Sequence, residues 1–350
     1  MGALSHASVY EGGRWMKSAW SMGAGAEEHR FKQTGVMESS STAWTAADLP
    51  RLAGRNVIVT GANSGLGYHT ASALAACGAD VTMAVRNLDK GEAAAQDIRT
   101  LHPDAGLEVS ELDLADLTSI RAFAERWSAA HVGGLSILVN NAGIMAIPRR
   151  ETADAFEMQL GTNHLGHFAL TGLLLPALIA QPGARVVTVS SQAHRLGKMD
   201  FDDLMGRHRY RPWGAYGQSK LANLLFTTEL QHRIDDAGLS LLALAAHPGY
   251  ANTNLQSAGP TMRGSSIGAR MSRMANGVLA QSAEMGALPT LYAATMPGLP
   301  GDTYIGPDGF MEQRGHPRIV GRSTAALRAE DGKRLWAMSE ELTGVRYPFD

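Results

Sequence analysis

The sequence has little cysteine, little excess charge and no long apolar run, and each shortage excludes a class of protein. Cys77 is the single cysteine in 350 residues, which excludes an intramolecular disulfide and a thiolate metal centre and favours a reducing compartment. The 31 basic and 33 acidic residues give a net charge of −2, without the basic block that nucleic-acid binding requires. The longest apolar stretch, residues 168–180, is shorter than the roughly 20 residues that span a bilayer. These shortages predict a soluble cytoplasmic protein with no membrane span.

Residues 1–48 show neither strand nor helix periodicity. They are rich in Ser, Gly and Ala, and no apolar run follows a basic start, so a secretory signal is not indicated. We expect a disordered extension, with Met37 as a candidate biological start. Residues 49–350 then form a single domain.

From Asn56 onwards, apolar strands alternate with amphipathic helices. Such alternation predicts right-handed crossovers and a parallel sheet that is covered by helices on both faces. The predicted fold is α/β, a single doubly wound Rossmann-type domain with a mostly parallel seven-stranded sheet. Strands are predicted at 56–60, 80–85, 107–112, 136–139, 185–190, 240–246 and 303–305, and helices after the first strand through 77 and at 89–101, 116–130, 152–180, 215–237, 282–295 and about 323–343.

A glycine-rich loop, Gly-Ala-Asn-Ser-Gly-Leu-Gly at 61–67, joins the first strand to its helix. Glycines at this point allow a tight turn and let the backbone approach a pyrophosphate, whose charge the helix N-terminus stabilises. An ordinary glycine turn is the alternative, which the flanking strand and helix disfavour. The loop predicts a dinucleotide site that includes Gly61, Asn63, Ser64, Gly65, Leu66 and Gly67.

Tyr216 and Lys220 are four residues apart in a predicted helix and therefore share one of its faces. A free phenol titrates near pH ~10, and a neighbouring ammonium lowers that pKa by favouring the phenolate. The pair is weak evidence by itself, because the same spacing occurs on many solvated helices. Its meaning depends on a cofactor and a substrate supplied by the rest of the chain.

The spacing Gly-x-x-x-Gly-x-Gly of the loop at 61–67 resembles the short-chain dehydrogenase/reductase superfamily. Asn-Asn-Ala-Gly at 140–143, Val-Ser-Ser at 189–191 and Pro-Gly at 248–249 resemble further motifs of that superfamily. The resemblance covers about residues 53–345 and is strongest up to 255. It assigns cofactor contacts to Asp113, Leu114, Asn140, Ala142, Gly143, Tyr216, Lys220, Pro248, Gly249 and Thr253.

The end of the second strand, Val85-Arg86, lies about 20 residues past the glycines, where NAD and NADP are distinguished. An acid there accepts a hydrogen bond from the ribose 2′-hydroxyl of NAD, whereas an arginine pairs with the 2′-phosphate of NADP. Val85 occupies the position of the acid and Arg86 follows it, so NADP(H) is the preferred cofactor and NAD(H) the alternative. Arg86 could instead only stack on the adenine.

The resemblance also implies the chemistry. Tyr216 would act as general acid in carbonyl reduction and as base in alcohol oxidation. Ser190 and Ser191 are adjacent, so on a strand they point to opposite faces and only one can polarise the substrate oxygen. Similarity to the retinol-dehydrogenase-like branch, where the active serine lies 25 positions before the tyrosine, selects Ser191. Asn163 would complete a water-linked proton path to Lys220.

Two segments around this site vary in the superfamily. The long segment between Ser191 and Tyr216 begins like that of retinol dehydrogenases, WW-domain oxidoreductases and related bacterial enzymes, and could gate the site or be a surface excursion. Residues 250–285, rich in Gly, Ser, Ala and Met, correspond to the substrate flap. Methionine there suits an adaptable apolar pocket and equally suits ordinary packing.

Three functions are compatible with these motifs. The first is NADP(H)-dependent interconversion of a carbonyl and an alcohol on a small to medium apolar substrate. The second is reduction of a carbon–carbon double bond, as in protochlorophyllide reductases. The third is a catalytically silent NADP-binding regulator, against which the complete set of Ser191, Tyr216, Lys220 and Asn163 argues.

Two further expectations concern metals and subunits. His164 and His167 are three residues apart on a helix, but no acidic or cysteine partner follows at ligand spacing, so no metal site is predicted. The helices at 152–180 and 215–237 resemble those that pair subunits in the superfamily. That resemblance points to a homodimer or a homotetramer.

Overall fold

Eight strands form one sheet in the order β3-β2-β1-β4-β5-β6-β7-β8 in the computed structural model, which describes residues 43–250 and 281–349. Neighbouring strands from β1 to β7 pair in parallel, and β8 pairs antiparallel with β7. The strands are β1 Asn56–Thr60, β2 Asp80–Val85, β3 Leu107–Glu111, β4 Ile137–Asn140, β5 Ala184–Val189, β6 Leu241–Ala246, β7 Tyr304–Pro307 and β8 Pro317–Ile319. The doubly wound α/β fold is thereby confirmed.

Helices cover both faces of this sheet. They are α1 Gly65–Ala76, α2 Leu88–Leu101, α3 Leu117–Ala130, α4 Met158–Leu160, α5 Gly166–Ile179, α6 Pro212–Asp236, α7 Ala283–Thr295 and α8 Ala329–Thr343. One apolar core lies between the sheet and α1, α2 and α7, and a second lies between the sheet and α3, α5 and α6. The central strands β1 and β4 are apolar along most of their length because both of their faces are covered.

The strand count predicted from the sequence was one too low. β8 has three residues, begins with Pro317 and pairs Ile305 with Ile319. A proline is tolerated at the start of an edge strand, where its missing N–H costs no ladder hydrogen bond. So short a run with an exposed arginine carries no recognisable strand pattern.

The long helix predicted at 152–180 was wrong in its first turns. Residues 152–156 form a turn in which Thr152 Oγ1 accepts from the backbone N–H groups of Asp154 and Phe156. Ala155 has a φ of 61°, which no right-handed helix contains. After α4, residues Gly161–Leu165 form a π-helical turn that leads into α5. Such turns are rare and are often found at functional sites.

Ordered contacts are already present just before the boundary predicted at residue 48. Thr45 caps a short 3-10 helix at Ala46–Asp48 with a complete capping box. The Trp44 ring meets Tyr292 of α7 edge to face, with 5.2 Å between their centroids. The ordered contacts of the domain therefore begin before residue 48.

The C-terminal helix α8 packs on α6, and the residues that follow it reach α5. The Trp336 ring stacks on Phe226 of α6 and meets Phe168 of α5 edge to face. Tyr347 donates from its hydroxyl to the Phe168 carbonyl at 2.7 Å. Along the ranges 43–250 and 281–349, no helix has the length and apolarity needed to cross a bilayer.

Candidate active site

A cavity of about 690 Å³ lies where the chain leaves the carboxyl ends of β1 to β6. This edge is where ligands bind in open α/β sheets. Most of the residues predicted for cofactor binding and catalysis line it. They are Gly61, Asn63, Ser64, Gly65, Leu66, Gly67, Arg86, Asp113, Leu114, Ala142, Gly143, Ser191, Tyr216, Lys220, Pro248 and Gly249.

The glycine loop has the tight backbone turn that a dinucleotide site requires. Residues with larger side chains could not adopt this turn. Gly61 and Gly65 have φ values of 66° and 56°, in the region that favours glycine. A Cβ on Gly67 would lie 2.4 Å from the Gly61 carbonyl oxygen. The N-cap residue Ser64 makes no side-chain capping bond to the first turn of α1. The loop thus brings a helix N-terminus to the cavity wall, as pyrophosphate binding requires.

A buried hydrogen-bond network fixes the start of this loop. Thr60 Oγ1 accepts from the N–H groups of Asn141 and Ala142 at 3.0 and 2.9 Å and lies 2.9 Å from His167 Nε2. His167 Nδ1 lies 3.1 Å from the Asn163 carbonyl oxygen, which can only accept, so Nδ1 carries the proton and Nε2 accepts from Thr60. Burial lowers the pKa of His167 to about 4 and keeps it neutral. The network joins β1 to the π-helical turn.

Asn163 lies behind the cavity wall. Its Oδ1 accepts from the Ile144 N–H at 2.8 Å, and its Nδ2 donates to the Ile144 carbonyl and to Ser219 Oγ. A Cβ on Gly143 would lie 3.1 Å from Asn163 Oδ1 and 3.5 Å from Lys220 Nζ, so the amide and the ammonium flank the same glycine. The water assigned to Asn163 by resemblance stays a prediction.

Tyr216 and Lys220 lie on one face of α6, and both are buried. Lys220 Nζ donates to the Val189 carbonyl at 2.9 Å and is 5.9 Å from the centroid of the Tyr216 ring. Burial raises the pKa of Tyr216, a hydrogen bond from Ser191 opposes that rise, and burial lowers the pKa of Lys220 to about 8. The pKa of Tyr216 therefore moves upwards, opposite to the effect expected from Lys220 alone, because desolvation of the phenolate dominates.

The two adjacent serines have different surroundings. Ser190 also lines the cavity, but its Oγ donates to the Lys220 carbonyl at 2.8 Å and so holds α6 against β5. Ser191 lies in the cavity wall within hydrogen-bonding reach of the Tyr216 phenol. The choice of Ser191 over Ser190 as the catalytic serine stays a prediction.

Asn140, one of the predicted cofactor residues, is not brought to the cavity. It is fully buried, and its Nδ2 donates to Thr171 Oγ1 of α5 at 3.0 Å; its assignment as a cofactor contact stays a prediction. The neighbouring Asn141 lines the cavity instead and donates from Nδ2 to the Thr60 carbonyl at 2.7 Å. Asn141 lines the cavity and Asn140 does not because Asn140 is still part of β4, whereas Asn141 begins the loop. Thr253 lies outside the described residues.

The apolar part of the cavity wall was not predicted from the sequence. Ile144, Met145, Leu196 and Trp213 line it. They come from three separate segments with no shared periodicity, so the only available signal was their closeness to the Asn-Asn-Ala-Gly motif, to Ser191 and to Tyr216. They add an apolar wall beside the polar groups.

The segment between Ser191 and Tyr216 contacts the cavity at its two ends, while its middle is attached elsewhere. Arg149 Nε donates to the Gly206 carbonyl at 3.0 Å, and Tyr210 donates from its hydroxyl to Glu157 or to the Ile147 carbonyl. The middle of this segment is therefore held by hydrogen bonds to residues that precede α5.

His164 and His167 point to separate partners. His164 Nε2 lies 3.0 Å from Ser339 Oγ of α8, whereas His167 faces Thr60. Within the described ranges, no group of three or more His, Cys, Asp or Glu side chains has an arrangement that could hold a metal ion.

Comparison with known proteins decides the family. The family model described as short chain dehydrogenase matches residues 55–263. The chain belongs to the short-chain dehydrogenase family. It is 42% identical over 300 residues to human retinol dehydrogenase 12, covering 85% of this chain and 89% of that protein. It is 41% identical over 304 residues to mouse polyprenol dehydrogenase, covering 85% and 86% of the two chains.

Solved structures agree with this membership of the short-chain dehydrogenase family. An uncharacterized protein from Mycobacterium Paratuberculosis shares 51% identity and superposes with a TM-score of 0.73, over 88% of this chain and 100% of that one. A structure titled NAD(P) dependent gluconate 5-dehydrogenase from Beutenbergia cavernae, with bound NADP, shares 28% identity with a TM-score of 0.53, over 70% and 90% of the two chains. The protein is thus an NAD(P)-dependent oxidoreductase acting on CH–OH donors.

Proposed function

We propose that this short-chain dehydrogenase interconverts a carbonyl and an alcohol on a small to medium apolar substrate and prefers NADP(H). The observation that carries the proposal is that Ser191, Tyr216 and Lys220 meet in one cavity with the glycine loop. Relatives that share about two fifths of their residues with this chain are named for retinol and polyprenol, which are apolar alcohols. An apolar alcohol or its carbonyl is the corresponding substrate class here.

The polar groups have complementary roles in this reaction. When bound, the reduced nicotinamide supplies the hydride. Tyr216 is protonated at neutral pH because its pKa is raised, so its hydroxyl can donate a proton to the substrate oxygen as negative charge develops there. Ser191 donates a hydrogen bond to the same oxygen, and the charge of Lys220 stabilises the phenolate that remains.

The apolar wall supports the substrate class. Ile144, Met145, Leu196 and Trp213 line the cavity, and the Trp213 ring meets the Tyr216 ring edge to face at 6.1 Å. Ligand sites are usually apolar with a few placed polar groups. The hydrocarbon part of an apolar substrate would pack against this wall, with its oxygen directed towards Tyr216.

The cofactor preference is supported by the charges at the end of β2. Arg86 is exposed and lines the cavity, whereas Val85 before it is buried with 1% of its surface accessible. Asn87 after it uses Oδ1 to accept from the Lys90 N–H at the start of α2. These three residues offer a cation to a 2′-phosphate and no carboxylate to a 2′-hydroxyl.

The decisive experiment replaces Tyr216 by Phe, which removes the hydroxyl and keeps the ring. We expect NADPH-dependent reduction of apolar aldehydes and ketones to fall at least about 100-fold, the lower range for general acid–base catalysis. NADPH binding, followed by fluorescence, should stay within about 2-fold of the wild type. The matched control is Tyr292→Phe, whose ring packs on Trp44 outside the cavity. Turnover that survives in Tyr216→Phe would remove Tyr216 from this role.

The same assay distinguishes the competing functions. Apolar enones in the substrate panel test for reduction of a carbon–carbon double bond. Consumption of NADPH only with enones would favour that reaction. Tight NADPH binding without turnover of any class would favour a regulator.

A further inference from the structure

A strained turn lies beside the cavity and has no part in the roles given so far. Residues Phe310–Glu312 connect β7 to β8, and Met311 and Glu312 have φ values of 49° and 55°. Two successive residues with side chains in the left-handed region are uncommon, and such strain persists only where surrounding contacts hold it. Phe310 and Met311 are exposed, whereas the carboxylate of Glu312 points into the protein.

Glu312 contacts residues that lie in or next to two separate parts of the cavity wall. Its Oε2 lies 3.2 Å from His247 Nε2 and accepts from Gln192 Nε2, and its Oε1 lies 3.6 Å from Arg195 Nη2. Gln192 and Arg195 belong to the short 3-10 helix Gln192–Leu196, which starts directly after Ser191. His247 comes directly before Pro248 and Gly249 of the opposite wall.

The protonation of His247 follows from its two partners. Its Nδ1 accepts from the Gly249 N–H at 3.2 Å, so in the neutral ring the proton is on Nε2 and is donated to Glu312. The ring is completely buried, and a Cβ on Gly306 would lie 2.0 Å from its Nε2, so the ring packs directly on the Gly306 backbone. The carboxylate therefore selects the tautomer that holds the Gly249 amide.

The backbone of the Pro248–Tyr250 turn rests on the same strained turn. Gly249 has a φ of 63°, and a Cβ on it would lie 2.4 Å from the Gln313 carbonyl oxygen. That oxygen accepts from the Tyr250 N–H at 2.7 Å. Gln281 completes the support, because it donates from Nε2 to the Pro248 carbonyl and accepts from the Gly315 N–H.

We propose that Glu312 is a positioning residue that holds the two cavity walls, the 3-10 helix after Ser191 and the Pro248–Gly249 turn, at a fixed separation. It acts on the first wall through Gln192 and Arg195 and on the second through His247. The proposal rests on the proposed function in that the space between the walls receives cofactor and substrate. The left-handed backbone at Met311 and Glu312 is the distortion that brings the carboxylate between them.

The test compares Glu312→Ala with Glu312→Gln, which keeps the length of the side chain and an acceptor oxygen. We expect Glu312→Ala to raise the NADPH Kd and to lower kcat at saturating NADPH, each about 10-fold, with a smaller change in substrate KM. Glu312→Gln should recover most of both losses. The matched control is Glu330→Ala, a carboxylate on the exposed side of α8.

A double-variant cycle tests the route through His247. In His247→Asn, the amide oxygen takes the place of Nδ1 and can still accept from Gly249, but the contact with Glu312 is lost. If Glu312 acts through His247, the NADPH Kd of the double variant Glu312→Ala/His247→Asn should equal that of the weaker-binding single variant. Losses that multiply in the double variant would overturn this route.

A measurement without cofactor separates this proposal from the proposed function. Amide hydrogen exchange of the cofactor-free protein should be faster in Glu312→Ala than in the wild type at residues 192–196 and at His247, Gly249 and Tyr250. Exchange in β1 and β4 and the cofactor-free Tm should change little. Unchanged exchange in both segments, or a uniform increase with a large fall in Tm, would overturn the positioning role, whether or not the wild type reduces any carbonyl.

Discussion

Burial moves the pKa values of the two central groups in opposite directions. The pKa of Tyr216 is raised, so the phenol stays protonated well above neutral pH, whereas the pKa of Lys220 is lowered to about 8. The lysine therefore loses its charge first as the pH rises. Its lost charge removes the stabilisation of the phenolate that forms when Tyr216 gives up its proton.

We accordingly expect kcat for carbonyl reduction to fall as the pH rises through about 8. The measurement is kcat at saturating NADPH and substrate between about pH 6 and pH 9.5, with the Tm recorded over the same range as control. A constant or rising kcat up to about pH 9.5 would contradict this assignment.

The single charge of Arg86 should control the choice of cofactor. Replacing Arg86 by Asp removes a charge-assisted contact with the 2′-phosphate and places a carboxylate beside it. Because such contacts contribute about 1.5–3 kcal/mol, the preference for NADPH over NADH should fall about 10- to 100-fold or more. The ratio of kcat/KM values for the two cofactors measures it.

Arg51→Asp is the matched control for this charge reversal, since Arg51 is exposed outside the cavity. An unchanged NADPH/NADH ratio in Arg86→Asp would mean that Arg86 only stacks on the adenine.

At the scale of elements, one hydroxyl joins a strand, a loop and a π-helical turn. Thr60 of β1 accepts from two backbone N–H groups of the loop after β4 and donates to His167 at the start of α5. Thr60 and His167 are buried, and Asn141 and Ala142 are partly buried, so the hydroxyl sits where solvent has little access. The alignment of the glycine loop with Asn163 therefore depends on a side chain of three heavy atoms.

Thr60→Val, which keeps the shape and removes the hydroxyl, should lower the free energy of unfolding by about 1–3 kcal/mol, the cost of unsatisfied buried donors. Urea denaturation measures the difference. Thr60→Ser keeps the hydroxyl and is the control, so a Val variant as stable as the Ser variant would refute the network.

The sequence predicted the regular elements well and the irregular ones poorly, for a physical reason. Asn56–Thr60 and Asp80–Val85 are runs of apolar residues buried on both faces, and both strands have the predicted bounds. The π-helical turn and β8 are set by contacts with distant residues, such as Thr60 with His167 and Ile305 with Ile319. No local pattern encodes such contacts.

Most of the residues that the motifs name line the cavity. The glycines of the loop at 61–67 and Tyr216 of α6 are among them, and their roles there stay predictions. Asn140 lies in β4 and not in the cavity wall because the end of β4 is decided by pairing with β5, which the motif does not show. The apolar wall depends on which segments the fold brings together, and Trp213 or Leu196 alone carries no sign of it.

At the scale of the whole molecule, four buried histidines make the fold sensitive to acid. Burial lowers the pKa of each from its ordinary value near 6.5, to about 3 for His164 and to about 4 for His167 and His194, and in the same direction for His247. The unfolded chain binds protons at these positions as the pH falls below about 6.5, whereas the folded protein does not until the lower values are reached. The contribution of these neutral histidines to the free energy of unfolding is therefore fully present above about pH 6.5. It is lost progressively as the pH falls from there towards the folded pKa values.

We expect the free energy of unfolding to fall by about 1.4 kcal/mol for each such histidine and each pH unit between about pH 6.5 and the folded pKa. Urea denaturation at about pH 7.5, 6.5 and 5.5 measures this slope. His167→Gln, which should reduce the slope by one histidine, is the internal control. Equal stability at about pH 7.5 and 5.5 would contradict the prediction.

The packing of α8 has a consequence for assembly. Trp336 and Tyr347 already cover Phe168 of α5 and, through Trp336, Phe226 of α6 with aromatic surface from the same chain. A tethered segment competes at a high effective concentration against any second molecule in solution. Two copies could pair through this part of α5 and α6 only if the segment that carries Trp336 and Tyr347 were displaced in each copy. The C-terminal segment of the chain thus occupies this surface itself. A homodimer or homotetramer would have to form through a different surface of the protein.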